Sequence, residues 1–292
     1  MPKNLFLKIY QKSIKKMSKG YGVGKNSIVK KILKNIEGNL KIEFTEVQGS
    51  KMFLDPGDSL NLSINGVYGE LDTKIIREEI HEGDIVIDVG ANIGYYTLIF
   101  AQLVGKSGKV IAFEPEFKNF EILKKNVEIN NYNNVILEPK IVSEKCGKMK
   151  LYFSDSDIVG HQIMTGIGVK GNIKNFVEVE SVTLDDYMKK LNLDEKVNFI
   201  KIDVEGAESK VLEGSTKISK KNDHLKIFTE FNREVVKNYG TEPKKMIDLL
   251  YGNGFEIYLP NYRDNKINLT SANELLTSKE TLLENINLLC KK

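Results

Sequence analysis

The chain has 292 residues, 41% of them hydrophobic and 28% charged, the balance of a globular protein rather than a disordered one. Its net charge of +3 is too small to point to nucleic acid. Two cysteines, Cys146 and Cys290, form neither a C-x-x-C pair nor a zinc-ligand spacing, which argues against a disulfide framework and fits a reducing compartment.

Charge is nevertheless uneven along the chain. Ten lysines, from Lys3 to Lys34, precede the first acidic residue, Glu37. Such a start reads as a solvated helix face, or as a surface for phosphate, an anionic membrane or an acidic partner. Residues 1–37 predict two short helices. Leu5, Phe6, Ile9, Tyr10, Ile14 and Met17 mark one apolar face, and Ile28, Val29, Ile32, Leu33 and Ile36 a second. Residues 19–24 break them with three glycines. These faces are expected to pack on the main domain or a partner, with peripheral membrane contact an open alternative. The segment Leu5–Tyr10 is too short for a secretory signal, and no apolar run reaches the roughly 18 residues of a membrane span. A cytoplasmic protein is expected.

Residues 40–67 change period. Leu40–Phe44 and Leu60–Ile64 alternate, bounded by Asp55-Pro56-Gly57-Asp58 and Asn65-Gly66, so a small antiparallel sheet is expected there. A helix is predicted over Asp72–His81. From Asp84 strands and helices alternate. Strands are predicted at Asp84–Val89, Lys109–Phe113, Val135–Leu137, Asn198–Ile202, Leu225–Glu230 and Phe255–Leu259. Helices are predicted at Tyr95–Val104, Phe117–Asn130, Ala207–Leu212 and Pro243–Asn253. Two further β segments, Met149–Phe153 and Phe176–Val182, flank a polar, glycine-rich loop. A Leu-rich helix is predicted near Thr281–Leu289. Such alternation implies an α/β fold with a Rossmann-like, doubly wound parallel sheet. The expected divisions are an N-terminal helical and β-hairpin extension (1–67), the main domain (68–265) and a C-terminal helical tail (266–292).

The most informative stretch runs from Asp84 to Thr97, an apolar strand that enters a helix through a glycine-bearing turn. Ligands of such sheets bind beyond the carboxyl ends of the strands. Gly90 permits the sharp turn and a close ligand approach, and Gly94 permits close helix packing. The next strand ends in Glu114, twenty positions after Gly94, where an acid is expected to take the ribose hydroxyls of an adenosine ligand. A dinucleotide turn spells G-x-G-x-x-G, because a pyrophosphate needs bare backbone. Here Asn92 replaces the middle glycine and Asp88 precedes the turn. Acid and amide suit the ammonium-bearing tail of S-adenosylmethionine better than a pyrophosphate. The cofactor-binding set is therefore Asp88, Gly90, Asn92, Gly94 and Glu114, with Asp203 below. Glu70 and Tyr68, just before the first strand, could close over the donor.

Three separated stretches, 89–94, 112–115 and 198–208, together with 181–186 and 211–214, resemble the FkbM-type class I methyltransferases over roughly residues 65–260. The resemblance implies a seven-stranded sheet with an antiparallel final hairpin, S-adenosylmethionine as donor, and a hydroxyl acceptor on a sugar or natural product. Residues 137–143 depart from the small, Ala-rich stretch of that family.

A hydroxyl acceptor must lose its proton near the transition state, which calls for a base or a metal. Asp203, at a strand end dense in acids, is the expected base or acceptor-positioning group. Glu205 could assist, or could cap the following helix as Glu208 could. Glu230 ends the next strand and could face Asp203, and these carboxylates with Asn232 leave Mg²⁺ open as a further cofactor. His161, in the glycine-rich loop, is a further candidate base. The leading function is an O-methyltransferase acting on a sugar, glycan or other small molecule. An RNA methyltransferase and a non-catalytic adenosine-ligand sensor are the alternatives, and a homo-oligomer stays open.

Overall fold

The computed structural model describes residues 44–152, 176–278 and 285–292. The two predicted N-terminal helices and His161 lie outside them, so neither reading is decided by the structure. Among the described residues no helix is long and apolar enough to cross a membrane.

The centre is an eight-stranded sheet. Its strands are β3 (Ile85–Val89), β4 (Lys109–Phe113), β5 (Val135–Glu138), β9 (Val197–Ile202), β10 (Lys226–Phe231), β11 (Glu256–Asn261), β12 (Lys266–Leu269) and β13 (Ile286–Lys291), in the order β12-β11-β13-β10-β9-β3-β4-β5. Strands β10, β9, β3, β4 and β5 are parallel, whereas β13 inserts antiparallel between β10 and β11. From β3 the chain steps outward to β4 and β5, then returns to build β9 and β10 on the other side. The strand order reverses between β3 and β9, the place where a doubly wound sheet opens a crevice.

The central strands are apolar on both faces because both are covered. Ile87, Val89, Ile200 and Ile202 belong to one core, with Val211, Ile218 and Ile247 from the overlying helices. Val86, Val110, Ala112 and Phe199 belong to the other, with Ile76, Ile99 and Leu123. That second face is covered by α2 (Glu70–Glu79), α3 (Tyr95–Leu103), α4 (Phe117–Ile129) and the hairpin β1 (Thr45–Val47) with β2 (Ser50–Met52). The hairpin turns on Gln48 and Gly49, both at positive φ (50° and 86°), the conformation that matches strand twist in a two-residue turn. A separate three-stranded sheet joins β6 (Ile141–Val142), β8 (Phe176–Val182) and β7 (Gly147–Tyr152).

Three expectations need correction. The sheet has eight strands, not seven, because β12 adds an antiparallel edge beside β11. The alternation over Leu60–Ile64 is not a strand: Leu62–Asn65 is a short helix, α1. The Asp58 carboxylate accepts from the Leu62 and Ser63 amides at its start (2.7 and 3.1 Å), and an N-terminal acid of this kind outcompetes a two-fold pattern only five residues long. The described part of the predicted Leu-rich tail helix, from residue 285 on, is not helical either. Ile286–Lys291 pairs with β10 along its whole length and with β11 on its other side. Leu288, Leu289 and Cys290 are buried there, and six residues flanked by two strands are too few to show a helical period.

Candidate functional site

The turn after β3 is set by backbone conformation. Gly90, Asn92 and Gly94 all adopt positive φ (79°, 51° and 95°), a region costly for residues with a Cβ. The Gly90 and Ala91 amides both donate to Phe113 O at 3.0 Å, which fastens the turn to the end of β4. A Cβ on Gly90 would stand 1.9 Å from Asp203 O, so the turn and the end of β9 touch through bare backbone. Gly94 serves α4 instead, since a Cβ there would meet Leu123 Cδ1 at 2.6 Å. Asn92 folds its side chain back, with Oδ1 accepting from Ile93 N at 2.8 Å. That bond makes Asn92 a turn former.

Glu114 is buried at the carboxyl end of β4. Its Oε2 accepts from the Asn92 amide at 2.8 Å and its Oε1 from the Glu116 amide at 2.9 Å. Burial pushes its carboxyl up to about 7, against the pull of those two amides. Each oxygen keeps a free lone pair, so the carboxylate can still accept from a vicinal diol. Beside it lies a small apolar pocket lined by Gly90, Phe113, Pro115, Ile141, Val142 and Ala207, among others. A carboxylate next to an apolar slot is the pairing that the ribose and base of an adenosine ligand call for. Ile141 and Val142 supply the apolar lining that the unusual 137–143 segment left in question.

Asp88 lies one residue from the end of β3, directly opposite Lys201 of β9 in the parallel register. The Asp88 carboxylate is fully buried rather than at the open mouth. Its Oδ2 accepts from Thr97 Oγ1 at 2.6 Å, and its Oδ1, which accepts no hydrogen bond among the described residues, lies 3.5 Å from Lys201 Nζ. Burial raises the Asp88 pKa, and Lys201 opposes the rise. The Lys201 ammonium also meets Asp203 Oδ2 at 3.2 Å and Gly90 O at 3.3 Å, and lies 5.3 Å from the centre of the Tyr96 ring. Burial would lower its pKa, but Asp203 and Asp88 outweigh that and hold the ammonium above its ordinary value. Lys201 is the residue that the sequence reading missed. Its signal was a lysine within the apolar central strand Val197–Ile202, where an unpaired charge costs several kcal/mol.

On the outer side of the crevice stand the acids. Asp203 leaves β9 with its amide donating to Val89 O at 3.1 Å, and about a third of its side chain is exposed. Glu205 sits at φ 56° in the following turn, and its pKa is raised by burial and by Asp203. Glu208 is buried, with Oε1 accepting from the Val204 and Gly206 amides (3.2 and 3.1 Å). It therefore holds the turn that leads into α6 (Glu208–Glu213), and burial pushes its carboxyl up to about 7. Glu230, near the end of β10, is pushed up to about 9 by burial first and then by Asp203, Glu205 and Glu208. Tyr68 is pushed up to about 12 by burial and by the charges of Asp203 and Glu230, so its phenol belongs to the same acidic mouth. Glu70 is exposed in the first turn of α2, and the structure brings Tyr68, not Glu70, to these acids. Further out, Asp72 accepts from Tyr262 Oη at 2.9 Å and from Asn287 Nδ2 at 3.0 Å, and Asn287 is the register partner of Glu230.

These acids do not fit Mg²⁺. Among the described residues no three carboxylate, histidine or cysteine side chains converge as metal ligands. Lys201 supplies the positive charge beside Asp203, and Asn232 caps α8 (Arg233–Asn238) rather than facing the crevice.

Residues 88–257 match the methyltransferase FkbM domain. Among curated proteins, the chain is 25% identical over 148 residues to Methyltransferase 1 of Beauveria bassiana, covering 46% of this chain and 59% of that protein. It is 29% identical over 157 residues to the hexuronic acid methyltransferase AglP of Haloferax volcanii, covering 52% and 59%. The chain thus spans less than two thirds of these relatives' length. Among solved structures, an rRNA methylase from Streptococcus thermophilus aligns at a TM-score of 0.40 and 15% identity, over 76% of this chain and 94% of that one.

Proposed function

The chain belongs to the FkbM methyltransferase family, and we propose that it transfers the methyl group of S-adenosylmethionine to a hydroxyl of a sugar, glycan or other small molecule. The donor reading is carried by Glu114: a buried carboxylate held by two backbone amides, at the end of the strand after the glycine turn and beside an apolar slot. Bound there, the donor supplies a methyl group already activated on a sulfonium. The protein's remaining task is to align a nucleophile and to manage one proton.

Asp203 suits that task. It is reachable from solvent and anchored by Lys201, so it can accept a hydrogen bond from an acceptor hydroxyl and take its proton. Burial and the neighbouring acids push Glu230 up to about 9, which suits it to donate to an acceptor oxygen rather than to take a proton. Tyr68 and Tyr262, both partly exposed, offer amphipathic faces suited to a sugar ring. The sugar-directed name of the AglP relative favours the same acceptor class.

The test is transfer of labelled methyl from S-adenosylmethionine to a panel of neutral sugars, amino sugars and uronates. Label should enter a hydroxyl-bearing sugar, and Asp203→Ala at saturating donor should abolish it. Full transfer by that variant would exclude Asp203 as the base. Transfer to RNA alone would overturn the acceptor class.

A further inference from the structure

At the reversal point between β3 and β9 the chain gathers an odd number of charges. Asp88 and Asp203 flank one ammonium, Lys201 Nζ, at 3.5 and 3.2 Å. The ammonium is fixed from two more directions by Gly90 O and the Tyr96 ring. With both carboxylates ionised, two against one ammonium leave a net charge of −1. Glu205 adds a further acid beside Asp203. The surplus is presented outward, because Asp203 is 35% exposed while Lys201 and Asp88 are 5% and 0% exposed.

Ligands of such sheets lie across the reversal point, beyond the carboxyl ends of the strands. Glu114 and its apolar slot fix the adenosine end toward β4. The β9 end, with Asp203, is then left for the sulfur-bearing end. S-adenosylmethionine and its demethylated product differ in charge at that sulfur, a sulfonium in one and a neutral thioether in the other.

We propose that the Asp88–Lys201–Asp203 array reads this charge, holding the sulfonium donor more tightly than the thioether product. The inference rests on the donor reading above. It gives the chain a means of exchanging spent product for fresh donor, because methyl transfer itself removes the charge that the array holds. Lys201 is then a positioning residue. It keeps both carboxylates in place while neutralising one of them, so that a single net charge faces the ligand.

The size of the effect follows from Coulomb's law. One net charge acting across roughly 8 Å at an effective dielectric near 30 changes a binding ratio by about tenfold. Titration calorimetry on the full chain reads it directly, with three probes. These are S-adenosylmethionine, S-adenosylhomocysteine and sinefungin, whose protonated amine stands in the sulfonium's place. The two cationic ligands should bind about tenfold more tightly than the thioether. Asp203→Asn, a nearly isosteric change at a partly exposed side chain, should bring the ratio close to one. Lys201→Arg, which keeps the charge, should preserve it. Equal affinity for donor and thioether in the unaltered protein overturns the inference, as does an unchanged ratio in Asp203→Asn. A purely packing role for Asp203 would weaken all three ligands together and leave the ratio intact. Failure of all three to bind would overturn the donor reading, and this inference with it.

Discussion

Gly90→Ala is the perturbation whose cost can be worked out most fully. The added methyl meets two obstacles. Gly90 sits at φ 79°, where a residue with a Cβ costs about 1–2 kcal/mol. The new Cβ would also stand 1.9 Å from Asp203 O, about 1.5 Å short of ordinary contact. That oxygen is backbone, so the β3 turn and the end of β9 must separate, and overpacking of this kind costs about a further 1–3 kcal/mol. The sum is a loss of roughly 2–5 kcal/mol. Gly66→Ala is the matched control. Gly66 has a similar φ of 65°, but nothing lies within 4 Å of its added Cβ, so only the backbone cost of about 1–2 kcal/mol applies. Urea unfolding of both variants, followed by calorimetry with S-adenosylhomocysteine, separates the two contributions. Gly90→Ala should be the less stable by at least about 1 kcal/mol and should lose ligand affinity, whereas Gly66→Ala should keep it. Equal stability and equal affinity in the two variants would refute the claim that the β3 turn and the end of β9 meet through bare backbone at Gly90.

Two further outcomes follow from the buried carboxylates. Glu208 titrates at about 7 in the folded chain against an ordinary 4.5, so between those values the folded state holds a proton that the unfolded state has lost. Stability from this group is therefore full below pH 4.5 and falls as pH rises through 7, by roughly 3 kcal/mol in all. Glu208→Gln keeps an oxygen for the Val204 and Gly206 amides, so it should flatten the fall in stability between pH 5 and pH 8; an unchanged slope in urea titrations at the two pH values would count against it. Glu114→Gln leaves one acceptor oxygen where two amides now bind two. It should weaken S-adenosylhomocysteine by about ten- to a hundredfold, the worth of one or two charge-assisted hydrogen bonds, and unchanged calorimetric affinity would remove Glu114 from the site.

What the sequence made legible was local. The run from Asp84 to Thr97 carries its own strand, turn and helix signals, and a fixed spacing leads from Gly94 to Glu114. Asp203 and Glu230 were legible as strand-end acids because the strands themselves were apolar. What stayed hidden depends on pairing between distant segments. Asp88 and Lys201 become neighbours only through the β3–β9 register, so nothing near either residue announces the ion pair, and Asp88 read as an open-mouth acid instead. Asn92 was legible as a departure from a dinucleotide turn, whereas the bond its side chain accepts from the Ile93 amide shows only in the structure. The last strand was hidden for the same reason as the ion pair. Ile286–Lys291 is a strand because β10 and β11 leave a gap that it fills, and its own residues suit a buried helix equally well.

The central claim is that the crevice beside Glu114 takes the adenosine part of S-adenosylmethionine and not a dinucleotide. Titration calorimetry of the full chain with S-adenosylhomocysteine, run in parallel with NAD, tests it most directly. Saturable binding of the thioether with no heat from NAD is the predicted result. Binding of NAD without S-adenosylhomocysteine would contradict it, and would mean that the turn at Gly90–Gly94 accepts a pyrophosphate after all.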